Sequence, residues 1–452
     1  MSWKKVKLGD VCTIEKGAIG IQKAVAGEYP LVVTGEERKS HNEYQFNCEA
    51  VIVPLVSGTG HGHASIKRIH FQSGKFALGN ILCAIIPKDT NQLMAQYLYR
   101  FLDLNKENEL VARMKGMANV TLPIKEITLI EIPLPSVEEQ AEFVEMYLEL
   151  ETKSNILSTE LTHQLSLVKK LRQQFLQDAV QGRFDLLRLR SATVAQRPAN
   201  EETGADLLKK IKAEKQKLIA EGKLKKEKEL PPIKAEEIPF EIPEGWVWCR
   251  LGDLFTALLG GFAFDSTRYS KTETSNQIIR LGNVKPNQLV LETTPVYIDE
   301  DYANEAIRAK LFEGNILITM TGTRAKKDYL FTLCIEQSDL ETKTLYLNQR
   351  VGCFRFGSFI SPKYINLTLK DLRLLEAVFD SSTGAANQAN IGITALKDIL
   401  IPLPPFAEQT IIVAKLDELM QTCDALEASI KESAAQNEKL LQQVLREALR
   451  KE

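Results

Sequence analysis

The chain contains two copies of one sequence plan, and this duplication constrains its fold more than any other feature. The segment Trp3-Lys-Lys-Val-Lys-Leu-Gly-Asp10 recurs 243 positions later as Trp246-Val-Trp-Cys-Arg-Leu-Gly-Asp253. A closing motif, Ile132-Pro-Leu-Pro135 with Glu139-Gln140, recurs 269 positions later as Ile401-Pro-Leu-Pro404 with Glu408-Gln409. Self-similarity over such distances indicates two structural units built on the same fold.

Each closing motif is followed by a long stretch whose interior lacks glycine and proline, which predicts a long helix. The two stretches run from about 136 to 181 and from about 405 to the C-terminus, and the offset of 269 persists through both. Apolar residues recur in them at seven-residue spacing, which is typical of a coiled coil. The predicted seam consists of Tyr147, Leu150, Leu157, Leu161, Val168, Leu171 and Phe175 in the first helix and Leu416, Leu419, Leu426, Ile430, Leu440 and Val444 in the second.

Several positions of this seam are polar or small: Ser154, Gln164, Cys423, Ser433 and Asn437. Such residues weaken a seam but can fix its register and its partner. About 44 residues at a rise of 1.5 Å make a helix of roughly 65 Å, which is longer than a compact domain is wide. The length favours the coiled coil, and two ordinary amphipathic helices buried on a larger domain remain the alternative.

Two globular parts, residues 1–131 and 246–400, precede the two helical regions, 132–181 and 401–452. Both contain short apolar runs broken by Gly, Asn and Pro, which predicts mixed α/β domains with many strands. In the first, Ala50-Val-Ile-Val53 leads to Ser57-Gly-Thr59, and in the second, Asn315-Ile-Leu-Ile318 leads to Thr321-Gly-Thr323. We therefore predict an α+β protein with a two-fold internal repeat.

Residues 182–245 have no counterpart after the second helical region, so we interpret them as a connector. The part from Asp206 to Leu230 is rich in lysine and has helical propensity. Pro231-Pro232, Pro239 and Pro243 then favour an extended chain. A charged run of this kind more often faces solvent than DNA.

Composition narrows the class of protein. The 452 residues are too many for one compact core, and 44% hydrophobic with 26% charged residues is typical of a globular chain. The net charge of −2 means that a nucleic-acid site would need local basic clusters, such as Arg38-Lys39, Lys67-Arg68 and Arg324 with Lys326 and Lys327. The seven cysteines show no Cys-x-x-Cys spacing, and no stretch reaches the roughly 18 apolar residues of a membrane span, so we expect a cytoplasmic protein without a membrane segment.

Signatures of catalysis are incomplete. Gly58-Thr-Gly-His-Gly62 has the wrong spacing for a nucleotide-binding loop, and His61-x-His63 lacks the further ligands of a metal site. Leu403-Pro-Pro-Phe406 lacks the amide or carboxylate that an adenine methyltransferase needs at its first position. Glu37-Arg-Lys39 lacks the upstream acidic pair of a nuclease. We therefore expect no cofactor, no metal and no catalysis in this chain by itself.

The order and duplication of these motifs resemble the specificity subunits of type I restriction-modification systems. The resemblance rests on the Trp-x5-Gly-Asp openings, the closing Ile-Pro-Leu-Pro-x3-Glu-Gln motifs, the long stretch after each, and the connector that ends Pro239-Phe-Glu-Ile-Pro-Glu-Gly-Trp246. It covers essentially the whole chain. It implies two target-recognition domains, separated by two long helices that form an antiparallel coiled coil, with each domain reading half of a bipartite, asymmetric DNA site.

The resemblance also implies partners and cofactors. The expected partners are double-stranded DNA, two methyltransferase subunits and restriction subunits, in a system that defends against phage. Adenine methylation and restriction would be carried out by these subunits, which would bind S-adenosylmethionine, ATP and Mg²⁺.

Specific reading of DNA requires side chains at the major-groove edges of bases, where Arg and Lys recognise guanine and Asn and Gln recognise adenine. The predicted DNA-binding residues are Thr59, His61, His63, Lys67 and Asn119 in the first domain and Thr323, Arg324, Lys326, Lys327, Gln349, Arg350, Asn387, Gln388 and Asn390 in the second.

Two other functions remain open at this point. A non-enzymatic coiled-coil scaffold with two protein-binding domains would show the same repeats, but it would have no salt-dependent affinity for DNA. A nuclease or methyltransferase that acts alone is disfavoured by the incomplete catalytic motifs.

Overall fold

The structure is a computed structural model that describes residues 3–58, 63–117, 119–184, 202–226, 228–384 and 387–449. The chain divides into two compact units. The first contains Met1–Ser166 and Ala428–Glu452, and the second contains Leu167–Glu427. Among the helices of the described residues, we find no candidate for a membrane span.

The first unit is built on short strands and helices. Its strands are β1 (Lys4–Lys7), β2 (Cys12–Lys16), β3 (Tyr29–Val32), β4 (Lys39–His41), β5 (Phe46–Asn47), β6 (Ala50–Pro54), β7 (His70–Gln72), β8 (Lys75–Leu78), β9 (Leu82–Pro87) and β10 (Glu131–Leu134). Its helices are α1 (Leu8–Val11), α2 (Ala95–Leu104), α3 (Lys106–Glu109), α4 (Ile124–Thr128) and the first part of α5 (Val137–Val180).

The second unit begins with the end of α5 and continues with α6 (Gly204–Ala220). Its other helices are α7 (Leu251–Leu254), α8 (Glu300–Glu305), α9 (Pro362–Thr368), α10 (Leu372–Asp380), α11 (Ile393–Lys397) and most of α12 (Phe406–Ala448), whose end belongs to the first unit. Its strands are β11 (Val247–Arg250), β12 (Phe255–Gly260), β13 (Asn276–Ile279), β14 (Val284–Lys285), β15 (Gln288–Leu289), β16 (Tyr297–Ile298), β17 (Ile316–Thr319), β18 (Thr321–Thr323), β19 (Thr332–Cys334), β20 (Thr344–Leu347), β21 (Val351–Phe356), β22 (Gln388–Asn390) and β23 (Leu400–Leu403).

The two units have the same sheet topology, which confirms the predicted fold class and internal repeat. A four-stranded sheet of order β2-β9-β6-β7 in the first unit corresponds to β12-β21-β17-β19 in the second. The parallel pair β3–β8 corresponds to the parallel pair β13–β20. The buried strands β6 and β17 lie in the middle of their sheets, and their side chains are shielded from solvent.

The opening and closing motifs lie side by side in each unit. Strand β1 pairs with β10, and β11 pairs with β23, so the two ends of each globular part form an antiparallel pair. Trp3 Nε1 donates a hydrogen bond to Glu139 Oε1 at 3.3 Å, and Trp246 Nε1 donates one to Glu408 Oε2 at 2.7 Å. These contacts attach the start of each domain to the start of the helix that follows it.

The glutamine of each closing motif joins three chain segments. Gln140 Oε1 accepts from Met94 N at 2.8 Å, and its amide donates to the carbonyls of Gln92 and Pro135. Gln409 is fully buried; its Oε1 accepts from Ser361 N at 2.9 Å and its Nε2 donates to Pro404 O at 3.2 Å. The glutamine therefore satisfies buried backbone groups that have no partner within a helix or strand.

Part of the connector is folded into the second unit. Helix α6 begins at a capping box of Thr203 and Asp206 and buries Leu207 and Ile211 in the core. It ends ten residues before the predicted Leu230, because Gly222 adopts a φ of +71° and terminates the helix. The connector therefore contributes apolar side chains to the core of this unit.

Arg250 fastens the extended part of the connector to the second unit. Its side chain is buried, its Nε donates to Pro231 O at 2.9 Å, and its Nη2 lies 2.7 Å from Glu237 Oε2. The corresponding residue of the first copy, Lys7, is exposed. The two copies therefore differ at this position, where the residue of the second copy contacts the connector.

The two long helices pack antiparallel within each unit. In the first unit, Tyr147 shares a core with Leu445 and Leu449, and Ser154 contacts Asn437. As residue numbers rise along α5 they fall along α12. The core of the second unit likewise combines Val180 of α5 with Ile412 and Leu416 of α12.

The residues of the two predicted rows of the seam differ in burial. Tyr147, Leu161, Val168 and Leu416 are buried, and Phe175, Ile430 and Val444 are half-buried. In the second predicted row Leu150 and Leu419 are half-buried, whereas four leucines are exposed, from 37% to 61%: Leu157, Leu171, Leu426 and Leu440.

Around Leu171 and Leu426, the contact between the helices is made four residues after the buried Val168 and Cys423, not three. Arg172 and Glu427 occupy these positions and contact each other between the helices. Because these side chains are charged, a pattern of apolar residues alone assigns the neighbouring leucines to the seam instead.

Candidate nucleic-acid interface

Most of the predicted DNA-binding residues of the second domain lie together at one end of its four-stranded sheet. Strand β17 leads into β18, which pairs with β22 so that Thr323 lies opposite Gln388. A tight turn over 324–327 follows β18. Strand pairing therefore brings two distant sequence segments into one loop cluster, with Thr323, Arg324, Lys326 and Lys327 on one side and Asn387, Gln388 and Asn390 on the other.

Some of these side chains hold the loop cluster in shape. Arg324 Nη2 donates to Ser382 O at 3.0 Å, and Asn387 Oδ1 accepts from Ala325 N at 3.1 Å. The Lys327 ammonium lies 4.9 Å from the centre of the Phe379 ring. These groups are engaged within the protein and help to position the loops, and their role in DNA binding stays a prediction.

Other predicted residues are free to meet a ligand. Lys326 and Gln388 are exposed, and their side chains make no hydrogen bond or ion pair within the described residues. Gln349 and Arg350 form an exposed turn between β20 and β21, and the next residue, Val351, pairs with Thr319 at the end of β17. This turn is therefore at the same end of the sheet as the β18–β22 loops.

The first domain has a corresponding loop cluster. Ser57 N donates to Val120 O at 2.9 Å, so the loop after β6 is bound to the loop that contains Asn119. His63, Lys67 and Asn119 are exposed. The predicted residues Thr59 and His61 lie outside the described residues.

A glycine turn shapes this loop in both domains. Gly116 has a φ of +125° and Gly384 one of +130°, a conformation that side chains rarely adopt. A Cβ at these positions would lie 2.3 Å from Asn119 O and 2.4 Å from Gln388 O, respectively. The loop therefore requires glycine for both its backbone conformation and its close approach.

The structure adds two exposed residues that sequence reasoning missed. Asn80 lies 269 positions before Gln349. The backbone amide of Asn80 donates to Ile19 O, after β2, and that of Gln349 donates to Phe262 O, after β12. Met117, beside Gly116, is 94% exposed. The repeat offset could have identified Asn80, whereas Met117 gave no signal because an apolar residue is first assigned to a core.

A second group of cations lies next to the loop cluster of the first domain. Lys67 lies against Gly58, since a Cβ added at Gly58 would be 3.3 Å from Lys67 Cγ. The backbone carbonyl of Lys67 accepts a hydrogen bond from Lys106 Nζ at 3.2 Å. Arg68 forms an ion pair with Glu36 at 2.8 Å. These residues give this side of the domain a local positive charge.

Within the described residues we find no group of three or more His, Cys, Asp or Glu side chains that could hold a metal ion. Burial raises the pKa of the Cys12 and Cys83 thiols to about 12, so both are protonated at neutral pH. Leu403, in the sequence that resembles a methyltransferase motif, is fully buried in β23.

Comparison with known proteins identifies the family. The model of the type I restriction modification DNA specificity domain matches residues 1–166 and 243–436. The chain belongs to this family. The scaffold alternative is not favoured by this result.

Two curated relatives are specificity subunits from Escherichia coli. The chain is 34% identical to the type I restriction enzyme EcoAI specificity subunit over 266 residues, which cover 58% of this chain and 42% of that subunit. It is 30% identical to the EcoEI specificity subunit over 292 residues, which cover 62% of this chain and 45% of that subunit. The chain thus spans less than half the length of these two relatives.

Two solved structures are similar to this chain in fold. A chain from a structure of a type I R-M system superposes with a TM-score of 0.57 at 17% identity, covering 100% of this chain and 98% of that one. The HsdS subunit from Thermoanaerobacter tengcongensis superposes with a TM-score of 0.50 at 17% identity, covering 100% and 97% of the two chains.

Proposed function

We propose that this chain is the sequence-specific DNA-binding subunit of a type I restriction-modification complex, and that each of its two domains reads one half of a bipartite, asymmetric site. The observation that carries the proposal is the duplicated loop cluster. In both domains a buried central strand leads into loops with exposed polar side chains at one end of the sheet. Two similar but non-identical domains in one chain suit a site with two different halves.

In this proposal the chain has no catalytic activity and acts in the cytoplasm through its partners. Two methyltransferase subunits bind S-adenosylmethionine and methylate adenine, and restriction subunits use ATP and Mg²⁺. Within this chain, Lys326, Gln388, Gln349 and Arg350 are the exposed side chains of the second domain that reach for DNA. Lys67, Asn119 and His63 do so in the first domain.

The direct test is a methylation map of cells that express the chain with its methyltransferase subunit, compared with cells that express the methyltransferase subunit alone. We expect one new adenine-methylated motif with two defined halves and an undefined spacer. The absence of a new motif, in cells where the assembled complex is present, would refute the proposal. Methylation or cleavage by the isolated chain would refute the non-catalytic role.

The second test separates contacts to phosphates from contacts to bases. Replacement of Lys326 by Ala should weaken binding of the complex to every duplex and lower the slope of log K against log salt by about one, if this ammonium contacts a phosphate. A loss of roughly 1–3 kcal/mol confined to one base position would instead assign it to base reading. Lys327→Ala serves as the comparison, because its ammonium is already placed over Phe379.

A further inference from the structure

Arg38 in the first domain is held in one position by neutral acceptors. Its Nε donates to Gln72 Oε1 at 3.1 Å, its Nη1 donates to His70 Nδ1 at 3.2 Å, and its Nη2 donates to Phe71 O at 3.5 Å. No carboxylate contacts this guanidinium within the described residues. The positive charge of Arg38 is therefore fixed in place and lacks a nearby negative partner.

Arg68 lies in the same cluster but has a loosely held partner. Its Nη1 is 2.8 Å from Glu36 Oε2, and the Glu36 side chain is 82% exposed. Both Arg38 and Arg68 lie close enough to His70 to contribute to lowering its pKa. Exposed ion pairs of this kind contribute little to stability, so this carboxylate is readily exchanged for another anion.

The cluster adjoins the candidate interface of the first domain. Arg68 and Lys67 belong to the segment that connects the loop after Ser57 with β7, and His70 pairs with Ile52 of β6. Lys67 in turn lies against Gly58 at the base of that loop. These cations therefore lie beside the loop that is proposed above to read DNA.

We propose that Arg38 and Arg68 form a binding site for a phosphodiester of the DNA backbone, and that Glu36 occupies Arg68 until this phosphate replaces it. The inference rests on the proposed function, because it concerns the same DNA. A guanidinium suits both a carboxylate and a phosphate, so the exchange preserves an ion pair for Arg68. Glu36 returns to water, and Arg38 gains the anionic partner that it lacks.

The decisive experiment removes the competing carboxylate. The full chain, assembled with its methyltransferase subunit, is titrated with a duplex that contains its mapped site and with a scrambled duplex, at several salt concentrations. Glu36→Gln should raise affinity for both duplexes severalfold. Arg68→Ala should lower affinity for both and reduce the salt slope by about one.

The double variant tests whether the two residues act together. In the double variant Glu36→Gln/Arg68→Ala, the gain in DNA affinity caused by Glu36→Gln should disappear, because the guanidinium that this substitution frees is absent. Arg38→Lys keeps the charge and should lose less affinity than Arg38→Ala, with thermal unfolding measured to detect misfolding. The matched control is Glu149→Gln, which breaks an exposed ion pair with Lys153 of similar length, 2.6 Å, on α5.

Several outcomes would overturn the proposal. These are an unchanged or weaker affinity in Glu36→Gln, a gain that persists in the double variant, or an equal gain in Glu149→Gln. Saturable binding of inorganic phosphate alone, without any effect of Glu36→Gln on DNA, would assign the site to a free anion instead. If the unmodified complex fails to bind its mapped site, the proposed function itself fails, which is a different result.

Discussion

Arg172 on α5 donates hydrogen bonds to Asp424 and Glu427 on α12, at 2.6 and 3.1 Å. Its side chain is only 26% exposed although it carries a full charge. In the first unit, Asn437 Nδ2 of α12 donates to Ser154 Oγ of α5 at 3.0 Å and to Ser158 Oγ at 3.2 Å. The two helices are thus joined by polar contacts that differ between the two units.

The Arg172 contacts should contribute measurably to stability. In a double-mutant cycle of Arg172→Ala and Asp424→Ala we expect a coupling of about 1 kcal/mol, near the upper end for partly exposed ion pairs. Urea unfolding followed by the helical signal at 222 nm measures it. The control cycle uses Lys153 and Glu149, an exposed pair within one helix, for which a smaller coupling is expected because solvent screens it. Coupling no larger than this control would contradict the prediction.

Replacement of the glutamine of the closing motif should lower the free energy of unfolding more than loss of the Arg172 ion pair does. Gln409→Leu replaces the amide by an apolar group of similar size and leaves Ser361 N–H and Pro404 C=O without their buried partner. Loss of buried hydrogen bonds costs about 1–3 kcal/mol per orphaned group, so we expect about 2 kcal/mol or more in the free energy of unfolding. Gln421→Leu, at an exposed position of the same helix, should change it by less than about 0.5 kcal/mol. Equal effects of the two substitutions would show that the motif is not structural.

The repeat made the fold predictable because both copies use the same residues for the same contacts. Trp3 and Trp246 meet glutamates of the closing motifs, and Gln140 and Gln409 bind equivalent backbone groups. Residues under such constraints keep their identity and spacing in both copies. The sequence offset therefore carries direct information about tertiary contacts.

The seam and the interface were predictable only in part. Arg172 and Glu427 lie in the seam because they pair with each other, and a hydrophobic pattern cannot register a charged contact. Arg324 and Asn387 are predicted to bind DNA by their chemical type, and this pattern did not indicate that their side chains also hold the loops of their own domain. Whether a side chain contacts DNA or holds a DNA-binding loop in place depends on contacts between segments that are distant in the sequence.

His70 should make the stability of the first domain depend on pH. Burial, with Arg38 and Arg68 adding to it, lowers the pKa of His70 to about 4, whereas a histidine in an unfolded chain titrates near 6.5. Between these values the unfolded state binds more protons than the native state. The free energy of unfolding attributable to His70 is therefore fully present above about pH 6.5 and falls as the pH drops towards 4, by up to about 1.4 kcal/mol per pH unit.

The measurement compares unfolding of the wild-type chain and of His70→Gln from pH 7.5 to pH 4. The glutamine can still accept a hydrogen bond from Arg38 but does not titrate. We expect the difference in stability between the two proteins to shift in favour of the glutamine variant as the pH falls through this window. Parallel pH profiles would show that His70 is not held neutral in the native state.

The final prediction concerns a chain that ends after the first long helix, at Phe184. In the full chain, Leu445 and Leu449 of α12 complete the core of the first unit. The residues 269 positions earlier on α5 are Leu176 and Val180, so a second copy of α5 can supply apolar side chains at the same places. The same shift replaces Asp424, Glu427 and Asn437 by Asn155, Ser158 and Val168. Two antiparallel copies of α5 therefore keep the apolar contacts and lose the polar ones.

We expect this half chain to form a two-fold dimer that is weaker than the native helix pair. Because such a dimer presents two identical domains, its complex with the methyltransferase subunit should methylate an interrupted palindrome built from the half-site of the first domain. Asn155→Asp with Ser158→Glu restores carboxylates opposite Arg172 and should tighten the dimer in sedimentation equilibrium. Adding Arg172→Met should abolish that gain. Methylation of the original asymmetric site, or a complex with a single half chain, would show that the two helices do not pair by the two-fold rule inferred from the repeat.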